Sequence, residues 1–305
     1  MSALILRRHA PDWASAAAEY TRSGRFDASR LLPRDLPHGF PRDVARRIDF
    51  WNQEFDVDYF SCRARLAEIS LRSCLAVQDA EVVAVGDVRE ASRKLRSGRY
   101  KLCLFVDDDD WFAPNVVSAL RGSVLAADVI RWCAPIFRGA LVQRSVPTRF
   151  PRWSFRLQRY FFRRGGATRR LLNLWNSRKD RDGLDRESIN FLVQTNNYAI
   201  TNSFLSKGGE LAAVIDHVRA SEHLLHTDFS IASLPGPVLS LTNKHPCAVT
   251  QLPALHGAAD STCFRDRVER FLAEGEQQDL PEAFQWAAGL IAETLDLFSE
   301  VLATR

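Results

Sequence analysis

The clearest pattern along the chain is an apolar run, Leu102–Val106, that ends on four consecutive aspartates, Asp107 to Asp110. An uninterrupted apolar run followed at once by charge predicts a strand buried on both faces of an α/β sheet. Trp111, Phe112 and Pro114 come next, and Asn115–Leu125 has helical spacing. Upstream, Phe55–Cys62 alternates apolar and polar residues and predicts a strand. Arg63–Val77 then places Leu66, Ile69, Cys74 and Val77 at helical spacing, Glu81–Val85 predicts a second strand closed by Gly86 and Asp87, and Val88–Arg96 a short helix. Strand, helix, strand, helix, strand at these lengths predicts right-handed parallel crossovers in a doubly wound sheet. Downstream, Asp128–Trp132, Ile136–Val142 and Phe191–Ser203 predict strands, and Leu211–Leu225 a helix. Leu239–Leu252 predicts a strand, turn and strand, and two helices follow Asp260. The expected organisation is an N-terminal extension over 1–50, a catalytic α/β domain over 51–258 and C-terminal helices over 259–305.

Composition narrows the class without naming a function. The 305 residues are 46% hydrophobic and 26% charged, which excludes global disorder and allows one large domain. A net charge of +4 suits phosphate-bearing ligands or an anionic surface and is too small to indicate nucleic acid. No run of about eighteen apolar residues occurs, so no transmembrane helix is expected, and the apolar part of the N-terminus is too short for a secretory signal. Six scattered cysteines with no CxxC pair predict reduced core thiols, a cytoplasmic setting and no structural zinc. His223 and His226, three apart without a third ligand, add no zinc site.

The aspartates are where chemistry enters. Four adjacent like charges at the carboxyl end of a buried strand repel one another, and that end is where open α/β sheets bind ligands. A hard divalent cation, Mn²⁺ or Mg²⁺, bridging to a phosphate-bearing substrate neutralises them most simply. The alternative is a solvated acidic loop in which Asp110 caps the helix beginning near Pro114.

A strand, then Asp-x-Asp-Asp, then an aromatic and a proline resembles the metal–nucleotide motif of GT-A fold glycosyltransferases. The resemblance is to bacterial, polysaccharide-type inverting enzymes, rhamnosyltransferase-like proteins among them, and it covers roughly Asp56 to Leu252. It implies a nucleotide-sugar donor and a glycan or lipid-linked acceptor; the expected setting is cytoplasmic, with the segment 149–181 allowing a peripheral place at the inner membrane. By position, Asp107 and Asp109 take the nucleotide-sugar and metal roles, with Asp108 and Asp110 in support. The resemblance further implies that loops holding Arg63 and Asp87 bind the nucleotide; the alternative for Asp87 is a helix cap. Trp111, Asn196 and Asn197 take the sugar, Asn196 and Asn197 having a tight turn as the alternative. Lys244 reaches the diphosphate, and His245 (or His256) joins the metal, against a plain loop histidine. An inverting enzyme needs a carboxylate base; Asp228 is the first candidate and Glu222 the second. The second strand lacks the Asp-Asp-x-Ser run of better-known relatives, so the nucleotide stays open.

One segment is strongly biased. Over 149–181, Arg149, Arg152, Arg156, Arg159 and Arg163 recur at three- and four-residue spacing beside Phe150, Trp153, Leu157 and Tyr160. An amphipathic helix of that composition suits an anionic membrane surface. A helix packing its aromatics on the sheet with solvated arginines fits equally. Two rival readings of the chain stand beside sugar transfer: a metal-dependent nucleotidyl- or phosphotransferase, and a non-catalytic partner in polysaccharide assembly that works through this segment.

Overall fold

The computed structural model describes residues 2–7, 12–24, 40–84, 88–123, 127–145, 186–188, 196–215, 220, 223–224, 227–234, 238–248 and 262–304. In chain order the elements are β1 (Ser2–Arg7), α1 (Trp13–Ser23), α2 (Phe40–Glu54), α3 (Tyr59–Leu75), β2 (Ala80–Ala84), α4 (Val88–Arg96), β3 (Tyr100–Val106) and β4 (Trp111–Phe112). Next come α5 (Val116–Leu120), β5 (Val129–Trp132), β6 (Ile136–Arg138), β7 (Ala140–Ser145), β8 (Arg186–Ser188), β9 (Tyr198–Thr201), α6 (Asn202–Ser206) and α7 (Leu211–Val214). The chain ends with β10 (Ile231–Leu234), β11 (Ser240–Asn243), α8 (Thr262–Glu276), a 3-10 turn (Glu282–Ala287) and α9 (Ala288–Ala303). Among the described residues no helix is long and apolar enough to cross a membrane.

Two compact units result. The first comprises Met1–Arg8, Ser73–Ile136 and Leu141–Thr242; the second comprises His9–Arg72, Phe137–Ala140 and Asn243–Arg305. The first holds a six-stranded sheet in the order β10-β5-β9-β3-β1-β2. β1 runs parallel to both β2 and β3, and β10 parallel to β5, while β9 is antiparallel to β3 and β5. The sheet is therefore mixed but mostly parallel, in keeping with the parallel crossovers expected from the spacing of the first elements, with β9 running against its neighbours.

Both faces of this sheet are covered, which is why β3 reads as a continuous apolar run. Leu4, Leu6, Cys103, Phe105, Val129, Tyr198 and Ile200 point to one face, with Ala91 and Leu95 of α4 and Phe204 of α6. Ala3, Ile5, Leu102, Leu104, Val106, Ile130, Trp132 and Ala199 point to the other, with Val116, Val117 and Leu120 of α5. Successive residues alternate because strand side chains have a period of two. Phe105 and Tyr198 stack with ring centroids 4.7 Å apart.

Two elements depart from the sequence reading. Ser2–Arg7, expected within an extension, is a central strand of the sheet, flanked by β2 and β3. Phe55–Cys62, expected as a strand, is the connection after α2 and the first residues of α3. Asp58 caps α3, accepting from the Ser61 backbone N–H (2.8 Å) and hydroxyl (2.6 Å), and that closed turn outweighs the apolar–polar alternation. The predicted strand Ile136–Val142 is two strands, β6 and β7, parted at Gly139. Its φ is +88°, and a Cβ there would stand 2.5 Å from the Phe271 carbonyl oxygen.

The second unit is helical and aromatic. Trp51 lies 4.7 Å from Phe55, 5.5 Å from Phe264 and 6.2 Å from Tyr59 between ring centroids. Arg65 pairs with Glu300 and Arg72 with Glu293, joining α3 to α9. All four side chains are about half exposed, so water screens both pairs and they add little to the packing of the buried rings.

At the amino-terminal edge of the first unit's sheet, Asp128 is fully buried. Its carboxylate accepts from Ser203 Oγ (2.6 Å), Lys207 Nζ (2.8 Å) and the Ser230 backbone N–H and hydroxyl (2.8 Å each). Burial pulls the carboxyl upward, and these bonds overcome it and hold the group below the usual range. Its stabilisation is therefore complete above its unfolded value of about 3.9 and is lost as pH falls through its lower folded value. Asp128→Asn is expected to cost about 1.5–3 kcal/mol at neutral pH and to blunt the acid-induced loss. Urea unfolding at neutral and acidic pH measures both, and a variant as stable as the parent contradicts this account.

Candidate functional site

The strand directions sort every residue of the first unit to one edge of the sheet or the other. Arg7 of β1 is level with Val106 of β3 and Ala84 of β2. Asp107 to Asp110 follow Val106 directly. β9 runs the opposite way, so Asn196 and Asn197, at its start, come to this same carboxyl edge. The Asn197 carbonyl accepts from the Trp132 backbone N–H at 3.0 Å, bringing the end of β5 there as well. β2 and β3 flank β1 on opposite sides, which makes the gap between β1 and β3 a topological switch point, the usual ligand crevice of open α/β sheets.

The aspartate turn is held at both ends. β3 enters it with every residue from Leu102 to Val106 fully buried. The Asp110 N–H reaches back to the Asp107 carbonyl at 3.4 Å, and the chain leaves as β4, which pairs antiparallel with β11. Ser73 Oγ donates to the Phe112 carbonyl (3.1 Å) and accepts from its N–H (2.8 Å). Asp108 and Asp110 are buried, at 4% and 1% exposure, whereas Asp107 and Asp109 are half-buried. Asp110 does not cap the following helix: β4 and a turn intervene, and Asn115 holds the cap position of α5. The solvated-loop alternative therefore does not hold for Asp108, which is buried, or for Asp110, which caps no helix.

Arg7 is the residue that sequence reasoning missed. Burial pushes the Cys74 thiol up to about 12, against the Arg7 cation and reinforced by Asp110, so both charged groups lie within electrostatic reach of that one thiol. The signal was present in the sequence: a short apolar run, Ala3–Leu6, ending on Arg7 and Arg8. A second missed cation is Arg131, near the carboxyl edge of β5, whose Nε donates to Ser233 Oγ at 2.8 Å. Burial lowers it to about 9.

Several predicted site residues are corrected. Asp228 is exposed and stands two residues before Ser230, whose carbonyl accepts from Asp128 at the amino edge. β3 spans about 20 Å between that edge and Asp107, so Asp228 cannot act as a base there. The Asn196 amide donates to the Leu241 carbonyl (2.7 Å) and its oxygen accepts from Thr242 Oγ1 (3.1 Å); the Asn197 amide donates to the Trp132 carbonyl (3.1 Å). Both side chains are buried and pin β9 to β11 and β5 rather than offering amides to a sugar. Trp111 is fully buried in β4, with no open face for a sugar ring. Trp132, also buried, donates from Nε1 to Ser240 Oγ at 2.8 Å.

In the second unit, Arg63 lies inside α3 rather than in a strand-end loop, 2% exposed. Its guanidinium is 4.8 Å over the Trp13 ring, and Nη1 donates to His245 Nε2 at 2.8 Å. His245 is fully buried, and its other nitrogen, Nδ1, is 3.2 Å from Cys247 Sγ. With both ring nitrogens engaged by protein atoms, His245 has no lone pair for a metal. Lys244 is half-buried, and its backbone N–H donates to the Phe137 carbonyl at 2.7 Å. Asp87, Glu222, His226, His256 and the segment 149–181 lie outside the described residues. Among the described residues, no group of three or more His, Cys, Asp and Glu side chains is arranged to hold a metal ion by itself.

No protein-family model matches the chain, and no curated protein matches it. Solved structures of S. aureus TarS 1-349 align with 98–99% of this chain at 12% identity. The first aligns over 72% of its own length with a TM-score of 0.34; that in complex with UDP-GlcNAc, over 73% at 0.31; and that in complex with UDP, over 81% at 0.31. Likeness at that level carries no argument, and the α/β fold described above rests on the chain's own strand pairing.

Proposed function

We propose that this chain is a metal-dependent glycosyltransferase that moves a sugar from a nucleotide-sugar donor to a glycan or lipid-linked acceptor, with inversion. One observation carries the reading: four consecutive aspartates leave a fully buried strand at a topological switch point, with Arg7 ending the neighbouring strand. A solvated loop has no need of that placement, whereas a site for a diphosphate and its cation does.

The donor set fits such an ion. Mg²⁺ is typically bound by one or two carboxylates together with substrate phosphates, in place of a closed protein cage, and Mn²⁺ accepts the same hard oxygen donors. Asp107 and Asp109, the two less buried members of the turn, are the pair we assign to it. Asp108 and Asp110, both buried, fix the turn. When bound, the ion neutralises charge on the departing nucleoside diphosphate. Arg7 meets the phosphates in the place first given to Arg63, since a guanidinium pairs well with phosphate oxygens. Of the two carboxylates considered as base, Glu222 is retained for taking the proton from the acceptor hydroxyl. We place the chain on the cytoplasmic face of the membrane, where the arginines of 149–181 suit anionic lipid.

A thermal-shift panel of UDP-, GDP- and dTDP-sugars, each with and without Mn²⁺, tests the reading. At least one donor is expected to raise the melting temperature only with the metal; Asp109→Asn loses that gain, and Asp228→Asn keeps it. A panel without a metal-dependent shift, or a full shift in Asp109→Asn, overturns the proposal. For the role of Arg7, calorimetric titration of the nucleoside diphosphate with Mn²⁺ should show about a tenfold weaker Kd in Arg7→Ala. An unchanged Kd removes Arg7 from the site.

A further inference from the structure

The geometry points to Cys62 and Cys247 as a dithiol that closes to a disulfide under a two-electron oxidant of the peroxide class. Both belong to the second unit, both are fully buried, and their sulfurs are 3.5 Å apart across 185 residues of sequence. The inference does not depend on the sugar-transfer reading.

The backbones that carry the two sulfurs are fixed against each other. Tyr59 and Cys62 stand three apart in the first turn of α3 and so share a helix face. The Tyr59 hydroxyl donates to the Cys247 carbonyl at 2.9 Å, while Cys62 Sγ meets Cys247 Sγ one turn along. Arg63 can only donate, so His245 Nε2 accepts from it and the proton of the neutral ring sits on Nδ1. Nδ1–H then donates to Cys247 Sγ and aims that sulfur. A disulfide needs the sulfurs about 1.5 Å closer than they stand. Burial raises the thiols of Cys74 and Cys103, which disfavours the reactive thiolate at those two positions.

The chemistry balances in two steps. Cys247 thiol and hydrogen peroxide give the sulfenic acid and one water. Cys62 thiol then attacks the sulfenic sulfur, the S–S bond forms, the S–OH bond breaks, and hydroxyl and thiol hydrogen leave as a second water. Two thiols lose two electrons to one peroxide. The product staples the start of α3 to the chain just after β11 inside the second unit.

The test uses the full-length reduced chain treated with hydrogen peroxide, then alkylated under denaturing conditions, digested and analysed by mass spectrometry. The expected product is one linked peptide pair containing Cys62 and Cys247, lighter than the two thiol peptides by two hydrogens, with Cys74 and Cys103 still alkylated. It disappears on return to dithiothreitol and is absent from Cys62→Ser and Cys247→Ser. Failure of the wild-type chain to give that pair, with either thiol still alkylated or Cys247 carried to the sulfinic acid, overturns the inference whatever the variants do.

Discussion

The structure turns on like charge at the end of a buried strand. At a separation of 4 Å, two carboxylates near a protein surface repel by about 4 kcal/mol at an effective dielectric of 20, and four in sequence multiply the problem. The chain meets it by fixing the turn from both sides. β3 delivers it from the core, β4 is held by β11, and Ser73 closes on Phe112. Asn196 and Asn197, buried without charge, tie β11 and β5 to the start of β9 at the same edge. These contacts set where the carboxylates stand.

The two edges of the sheet carry different work. At the amino edge, Asp128 is satisfied by Ser203, Lys207 and Ser230, and the whole arrangement serves stability. At the carboxyl edge, Asp107 to Asp110 follow β3 directly, and Arg7 ends the neighbouring strand.

Much of this was legible in the sequence where the signal is local. Leu102–Val106 announced a strand buried on both faces, and α4 between β2 and β3 followed from spacing alone. What failed depended on partners distant in sequence. Ser2–Arg7 is a short apolar run ending on charge, but its partners are Ala80–Ala84 and Tyr100–Val106, so its place between β2 and β3 depended on residues far along the chain. Phe55–Cys62 alternated like a strand, yet one Asp58–Ser61 cap settled it as a helix start. Asp228 had the right chemistry, and only the strand directions reveal that it stands at the opposite edge from Asp107. His245 likewise had a ligand's chemistry until Arg63 and Cys247 took its two nitrogens.

The claim on which the account rests is that the aspartate turn holds a divalent ion against a diphosphate. Anomalous scattering at the manganese edge, from crystals grown with Mn²⁺ and a nucleoside diphosphate, tests it most directly. The account predicts a manganese peak at the carboxylates of Asp107 and Asp109, with the diphosphate ordered beside Arg7. A diphosphate bound elsewhere on the sheet, or an ordered nucleotide with no manganese at that turn, would contradict it.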